Sequence, residues 1–115
     1  MADLNIQLTR TKTGLFDLTV TEADGVTPQE LHGAVLYFHA GNGSFSIEKN
    51  SPDGGIDITD EVAGTATLTI DPEDTEALSI HGTYSMPCEL TMVVGSAAYP
   101  VAKGSLSVTP NVGEP

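Results

Sequence analysis

Apolar and polar residues alternate through most of this chain. Leu4, Ile6 and Leu8 are separated by Asn5 and Gln7; Phe16, Leu18 and Val20 by Asp17 and Thr19; Ala66, Leu68 and Ile70 by Thr67 and Thr69. Ile56 and Ile58 flank Asp57. A period of two with one apolar face predicts half-buried strands. The outward threonines are β-branched and favour extended backbone. This pattern predicts strands over 4–9, 15–22, 34–40, 44–49, 56–59, 64–70, 83–94 and 97–109. Turn formers lie between them: Ala23-Asp24-Gly25-Val26, Asn42-Gly43, Asp53-Gly54-Gly55 and Gly95-Ser96. Their residues tolerate positive φ. Short strands joined by short turns predict an all-β antiparallel sandwich or barrel.

Three segments depart from the alternation. Asp71-Pro72-Glu73-Asp74-Thr75-Glu76-Ala77-Leu78 offers a capping residue, Pro at the first helical position and acids in the first turn. These predict one short helical turn, with Ala77 and Leu78 tucked against the end of the sandwich. Pro87 falls inside a strand and cannot donate to a ladder, so it marks a bulge or a locally unpaired side. Val101 and Leu106 have opposite parity. Either both faces are covered there or Gly104 marks a bulge.

Composition bounds the class. The 115 residues and 12.0 kDa suit one domain, and 39% hydrophobic content suffices for a core. We expect a single domain over 1–110 and an extended tail over 111–115. Sixteen acidic and four basic side chains give a formal charge of -12. Arg10, Lys12, Lys49 and Lys103 are scattered, which argues against nucleic acid and anionic membrane surfaces as partners. No apolar run is long enough to span a bilayer, and the first residues lack a secretory pattern. Cys88 is the only cysteine, so no intrachain disulfide forms and folding in a reducing compartment is expected.

The order of segments resembles the immunoglobulin-like N-terminal domain of baseplate upper proteins and related virion proteins of tailed phages. The residues that carry the resemblance are Leu18-Thr19-Val20-Thr21-Glu22-Ala23-Asp24-Gly25, Leu31-His32-Gly33-Ala34-Val35-Leu36-Tyr37-Phe38, Gly64 to Thr75, Gly82-Thr83-Tyr84, and Gly104-Ser105-Leu106-Ser107-Val108-Thr109-Pro110. The match covers roughly 4–110. It implies an immunoglobulin-like antiparallel β-sandwich of about seven to eight strands, with one short helical turn. It also implies a structural role in the virion, with assembly in the host bacterial cytoplasm. The chain departs from the family at Pro87 and on the third strand, whose outer face carries Val35, Tyr37 and His39.

No residue set points to catalysis, a cofactor or a metal. His32, His39 and His81 have no metal-ligand spacing. Cys88 shares the parity of Tyr84, Met86, Leu90 and Met92, a core face where a thiol acts as a small hydrophobe. Asp53, Asp57, Asp60 and Glu61, and Asp71, Glu73, Asp74 and Glu76, cluster without the register of a calcium loop and read as a solvated rim. Gly41-Asn42-Gly43-Ser44 precedes a strand rather than a helix, so it is no phosphate loop.

The resemblance implies a structural component of a tailed bacteriophage virion, and the residues themselves predict a non-enzymatic one. It is expected to be multicopy or homo-oligomeric and to contact other virion proteins. A stand-alone capsid decoration or accessory protein is favoured, with a tail, baseplate or connector component as the alternative. An alternative of another class is a carbohydrate- or calcium-dependent surface adhesion module. With Ala34, Leu36, Phe38 and Ala40 facing the core, Val35, Tyr37 and His39 form a candidate protein–protein contact face. The charge lies in turns and the helical segment, and leaves that face of the third strand uncharged.

Overall fold

A computed structural model describes residues 2–22, 27–41, 45–76 and 84–109, with the backbone alone for Ala2 and Asp3. The strands are β1 (Ala2–Thr9), β2 (Gly14–Thr19), β3 (Ala34–Gly41), β4 (Ser46–Asn50), β5 (Ile56–Asp60), β6 (Thr65–Ile70), β7 (Tyr84–Val94) and β8 (Ala97–Thr109). They form two sheets, of order β1-β8-β7-β3-β4 and β2-β6-β5. The fold is an all-β sandwich of two sheets. One pair departs from the antiparallel expectation. First and last strands run side by side in the same direction, with Leu4 opposite Gly104 and Leu8 opposite Val108.

The alternation places the core between the sheets. Leu36, Phe38, Leu90 and Leu106 of the larger sheet and Ile56, Leu68 and Ile70 of the smaller are fully buried. Burying each such side chain contributes about 1.5–3 kcal/mol. Gly95 lies at φ +61° and closes the two-residue turn between β7 and β8, where a β-carbon would be strained. Gly64, at φ +71°, ends the β5–β6 turn. A β-carbon there would lie 2.6 Å from both the Val20 and the Gln29 carbonyl oxygens. That close approach lets Val20 N–H donate to the Gly64 carbonyl at 2.8 Å. Strand β2 thus ends at Thr19, short of the predicted residue 22, because the chain turns off to meet Gly64.

The helical segment is a 3₁₀ turn over Pro72–Thr75. Asp71 caps it with extended backbone, and the Asp71 N–H donates to Asp74 Oδ2 at 2.7 Å. The predicted contacts of Ala77 and Leu78 lie outside the described residues, as do the turns at 23–26 and 42–44. Pro87 is opposite Ser105 in regular register with β8. Pairing of β7 with β3 stops at Cys88 opposite Ala40, so the proline falls just past the last rung. The bulge in β8 lies at Val101: Leu90 is opposite Ala102, and Thr91 is opposite Pro100. The extra residue accounts for the parity change, and Gly104 keeps regular register.

Both ends of β1 are held by specific contacts. At its start, Cys88 Sγ donates to the Leu4 carbonyl at 3.5 Å. Beyond its end, buried Arg10 reaches the Glu76 carbonyl with a guanidinium nitrogen at 2.7 Å, and its N–H donates to the Thr109 carbonyl at 2.9 Å. Thr11 sits at φ +59°, unusual for a β-branched residue. Its N–H donates to buried Thr75 Oγ1 at 2.8 Å, which docks the β1–β2 turn on the 3₁₀ turn.

Candidate interaction face

The outer face of the five-stranded sheet is built by the register of β8, β7, β3 and β4. Directly opposed residues on neighbouring strands share a face. Val35 is opposite Val93, and Val93 is opposite Ala98. One row on, Asn50, Tyr37, Thr91 and Pro100 stand side by side. The next row holds Glu48, His39, Glu89 and Lys103. Tyr37 and His39 are exposed and Val35 is half-buried, while Leu36, Phe38 and Ala40 between them are buried. Tyr37 is 43% exposed. One apolar row and one mixed row therefore lie beside one charged row.

The third strand contributes no carboxylate or ammonium to this face, but its neighbours set charges beside it. His39 stands between Glu48 of the next strand and Glu89, which is far away in sequence. Sequence alone hides this row, because it exists only once the register is fixed. The alternation of β7 and β8 would have put Glu89 and Lys103 outward, but not opposite each other.

The remaining candidates are engaged locally. Asp60 Oδ1 accepts the N–H groups of Val62 and Ala63, both at 3.1 Å, and so shapes the β5–β6 turn. Asn50 Nδ2 donates to Asp53 Oδ2 at 3.1 Å. Glu61 meets His32 at 2.9 Å on the exposed surface. Lys49 Nζ lies 2.7 Å from Asp74 Oδ2 and 3.2 Å from Asp71 Oδ2. Burial pulls the Lys49 pKa down. The hydrogen bonds and attraction of Asp74 and Asp71 outweigh it, so the ammonium sits above its ordinary 10.5. Beside it a groove of about 290 Å³ is lined by Glu48, Asp53, Gly55, Thr69 and Asp71. Among the described residues, no three His, Cys, Asp or Glu side chains converge as a metal site. His81 lies outside the described residues. Cys88 is buried, and burial raises its thiol above the ordinary 9.0 against a smaller opposing hydrogen bond with the Gly104 backbone. Among the described residues no helix is long and apolar enough to cross a membrane, which leaves β-barrel spans untested.

No protein-family model matches the sequence, and no curated protein matches it. Solved structures do. The N-terminal domain of phage TP901-1 ORF48 aligns over 96% of this chain and 89% of that one, with a TM-score of 0.53 and 9% identity. The chain has the fold of that phage domain. Murine CRIg aligns over 93% of this chain and 92% of its own, at a TM-score of 0.42 and 13% identity. AggA, the major subunit of aggregative adherence fimbriae type I from Escherichia coli, aligns over 92% and 90%, at 0.36 and 15%. Neither of these two is close enough to carry weight beside the phage domain. With the phage domain the match runs nearly end to end on both sides, so the two share a whole domain architecture.

Proposed function

We propose that this protein is a non-enzymatic structural domain of a tailed-phage virion, seated in the tail or baseplate. The observation that carries the reading is the near end-to-end fold likeness to the N-terminal domain of phage TP901-1 ORF48. The segments quoted from the sequence support it independently, because they resemble baseplate upper proteins. Capsid decoration remains the competing placement. Both placements use the same passive mechanism. A rigid sandwich presents one sheet face to a neighbouring component, and many copies add avidity through the symmetry of the particle.

Val35, Tyr37 and His39 form the centre of the proposed contact, with Val93, Thr91 and Glu89 beside them in register. The charge of -12 makes association depend on ionic strength. Immunogold labelling of purified particles tests the placement. Label at the tail tip supports the reading, label over the shell moves the protein to the capsid, and unlabelled particles contradict a virion role.

A further inference from the structure

The charged row is complementary to itself under a two-fold operation. Across β4, β3, β7 and β8 it reads Glu48, His39, Glu89, Lys103. A two-fold axis along the strands, between β3 and β7, would lay β8 of one copy on β4 of the other, and β7 on β3. Under that operation Lys103 meets Glu48 of the second copy, and Glu89 meets its His39. Each acid meets a base. In the neighbouring rows Val35 meets Val93, and Tyr37 meets Thr91. Toward the other end the face flattens, where Pro87 is opposite Ser105 and Gly41 is opposite Ser46.

We propose that the outer face of β4, β3, β7 and β8 is an isologous dimer interface, occupied by the same face of a second copy of this chain. The inference deepens the contact-face reading by naming the partner, and it holds wherever in a particle the protein sits. Sheet faces pack with their strands near-aligned, and a closed two-fold contact is the commonest homo-oligomer. Four strands about 4.8 Å apart and four rows about 6.8 Å apart give roughly 500 Å² per copy. That is roughly 1,000 Å² in total, at the lower bound for a specific interface. The dimer is therefore concentration-dependent, and its charges decide whether it forms. Alternating charge also suits neighbours within one sheet, but there Lys103 stands between Glu89 and Asp3 and does not meet Glu48.

Mixing two charge reversals separates these. Lys103→Glu alone and Glu48→Lys alone each set like charges opposite each other twice in a homodimer. An equimolar mixture sets opposite charges together at both positions. Sedimentation equilibrium should show the wild-type chain dimerising, each variant weakened by about tenfold or more, and the mixture recovered to wild-type affinity. A wild-type chain that stays monomeric at every concentration overturns the proposal. So does a dimer indifferent to both reversals, or a mixture no tighter than its components. Thermal melts check that each variant is folded. Should a reversal melt, Thr91→Asp carries the test, since it loads the central row and should also weaken the dimer; unchanged affinity overturns it. A failed dimer leaves the virion placement standing, and a failed placement leaves the dimer standing.

Discussion

Gly104 and Leu4 lie in contact that only glycine permits. The two are opposed in the parallel pair of β1 and β8, and a β-carbon on Gly104 would run into the Leu4 carbonyl, with its carbon 2.6 Å away. That carbonyl also accepts the Cys88 thiol, so three strands meet there over small side chains. Gly104→Ala should cost about 1–3 kcal/mol, the usual penalty for overpacking. Urea unfolding measures it, and a loss under about 0.5 kcal/mol would mean β1 yields freely there.

The turn after β1 offers a second test. Thr75 is buried, and its hydroxyl accepts the N–H of Thr11 at a positive-φ position. Thr75→Val keeps the shape and removes that acceptor. The orphaned N–H should cost about 1–3 kcal/mol, while Thr75→Ser should retain most of the stability. A larger loss for Thr75→Ser than for Thr75→Val in chemical denaturation would place the energy in the methyl group instead.

Much of the fold is legible in the sequence, and the parts that are not share a cause. Alternation locates all eight strands, since one buried face imposes a period of two on each. It misplaces the end of β2, because Val20 leaves the sheet to donate to the Gly64 carbonyl and accept from the Gln29 N–H. Parity detects an irregularity in β8 but not its position at Val101, which depends on the partner strand. The outward placement of Tyr37 and His39 follows from alternation, whereas the charged row beside them does not. Register is a property of strand pairs, and the β3–β7 pair at the centre of the row is too distant in sequence to leave a local signal. Arg10 is hidden for a similar reason, because its partner, the Glu76 carbonyl, lies 66 residues away.

Lys49 should give the protein a stability step in alkali. Its folded pKa lies above 10.5 through Asp74 and Asp71, despite burial. A raised pKa means the folded state holds the proton more tightly than the unfolded chain. The contribution is therefore complete below pH 10.5 and drains away as pH rises through the folded value. Urea midpoints of wild type and Lys49→Met, compared from pH 8 to about 11.5, should converge at the alkaline end. A constant gap across that range would contradict the ion-pair account.

Cys88 should be chemically silent in the native state. It is buried, and its thiol is raised above 9.0 by that burial. The thiolate is the reacting species, so labelling with a thiol reagent at pH 8 should be slow and should accelerate sharply in urea. Rapid native labelling would show that β7 opens locally.

The central claim is that the outer sheet face joins this protein to a virion. Val35→Asp with Tyr37→Asp places two charges on that face, where Val35 is half-buried and Tyr37 is exposed. Supplied in place of the wild-type chain during assembly in the host, the double variant should melt within a few degrees of wild type, as for roughly 1 kcal/mol or less of lost stability. It should nevertheless be absent from purified particles. Incorporation at the wild-type level would contradict the account.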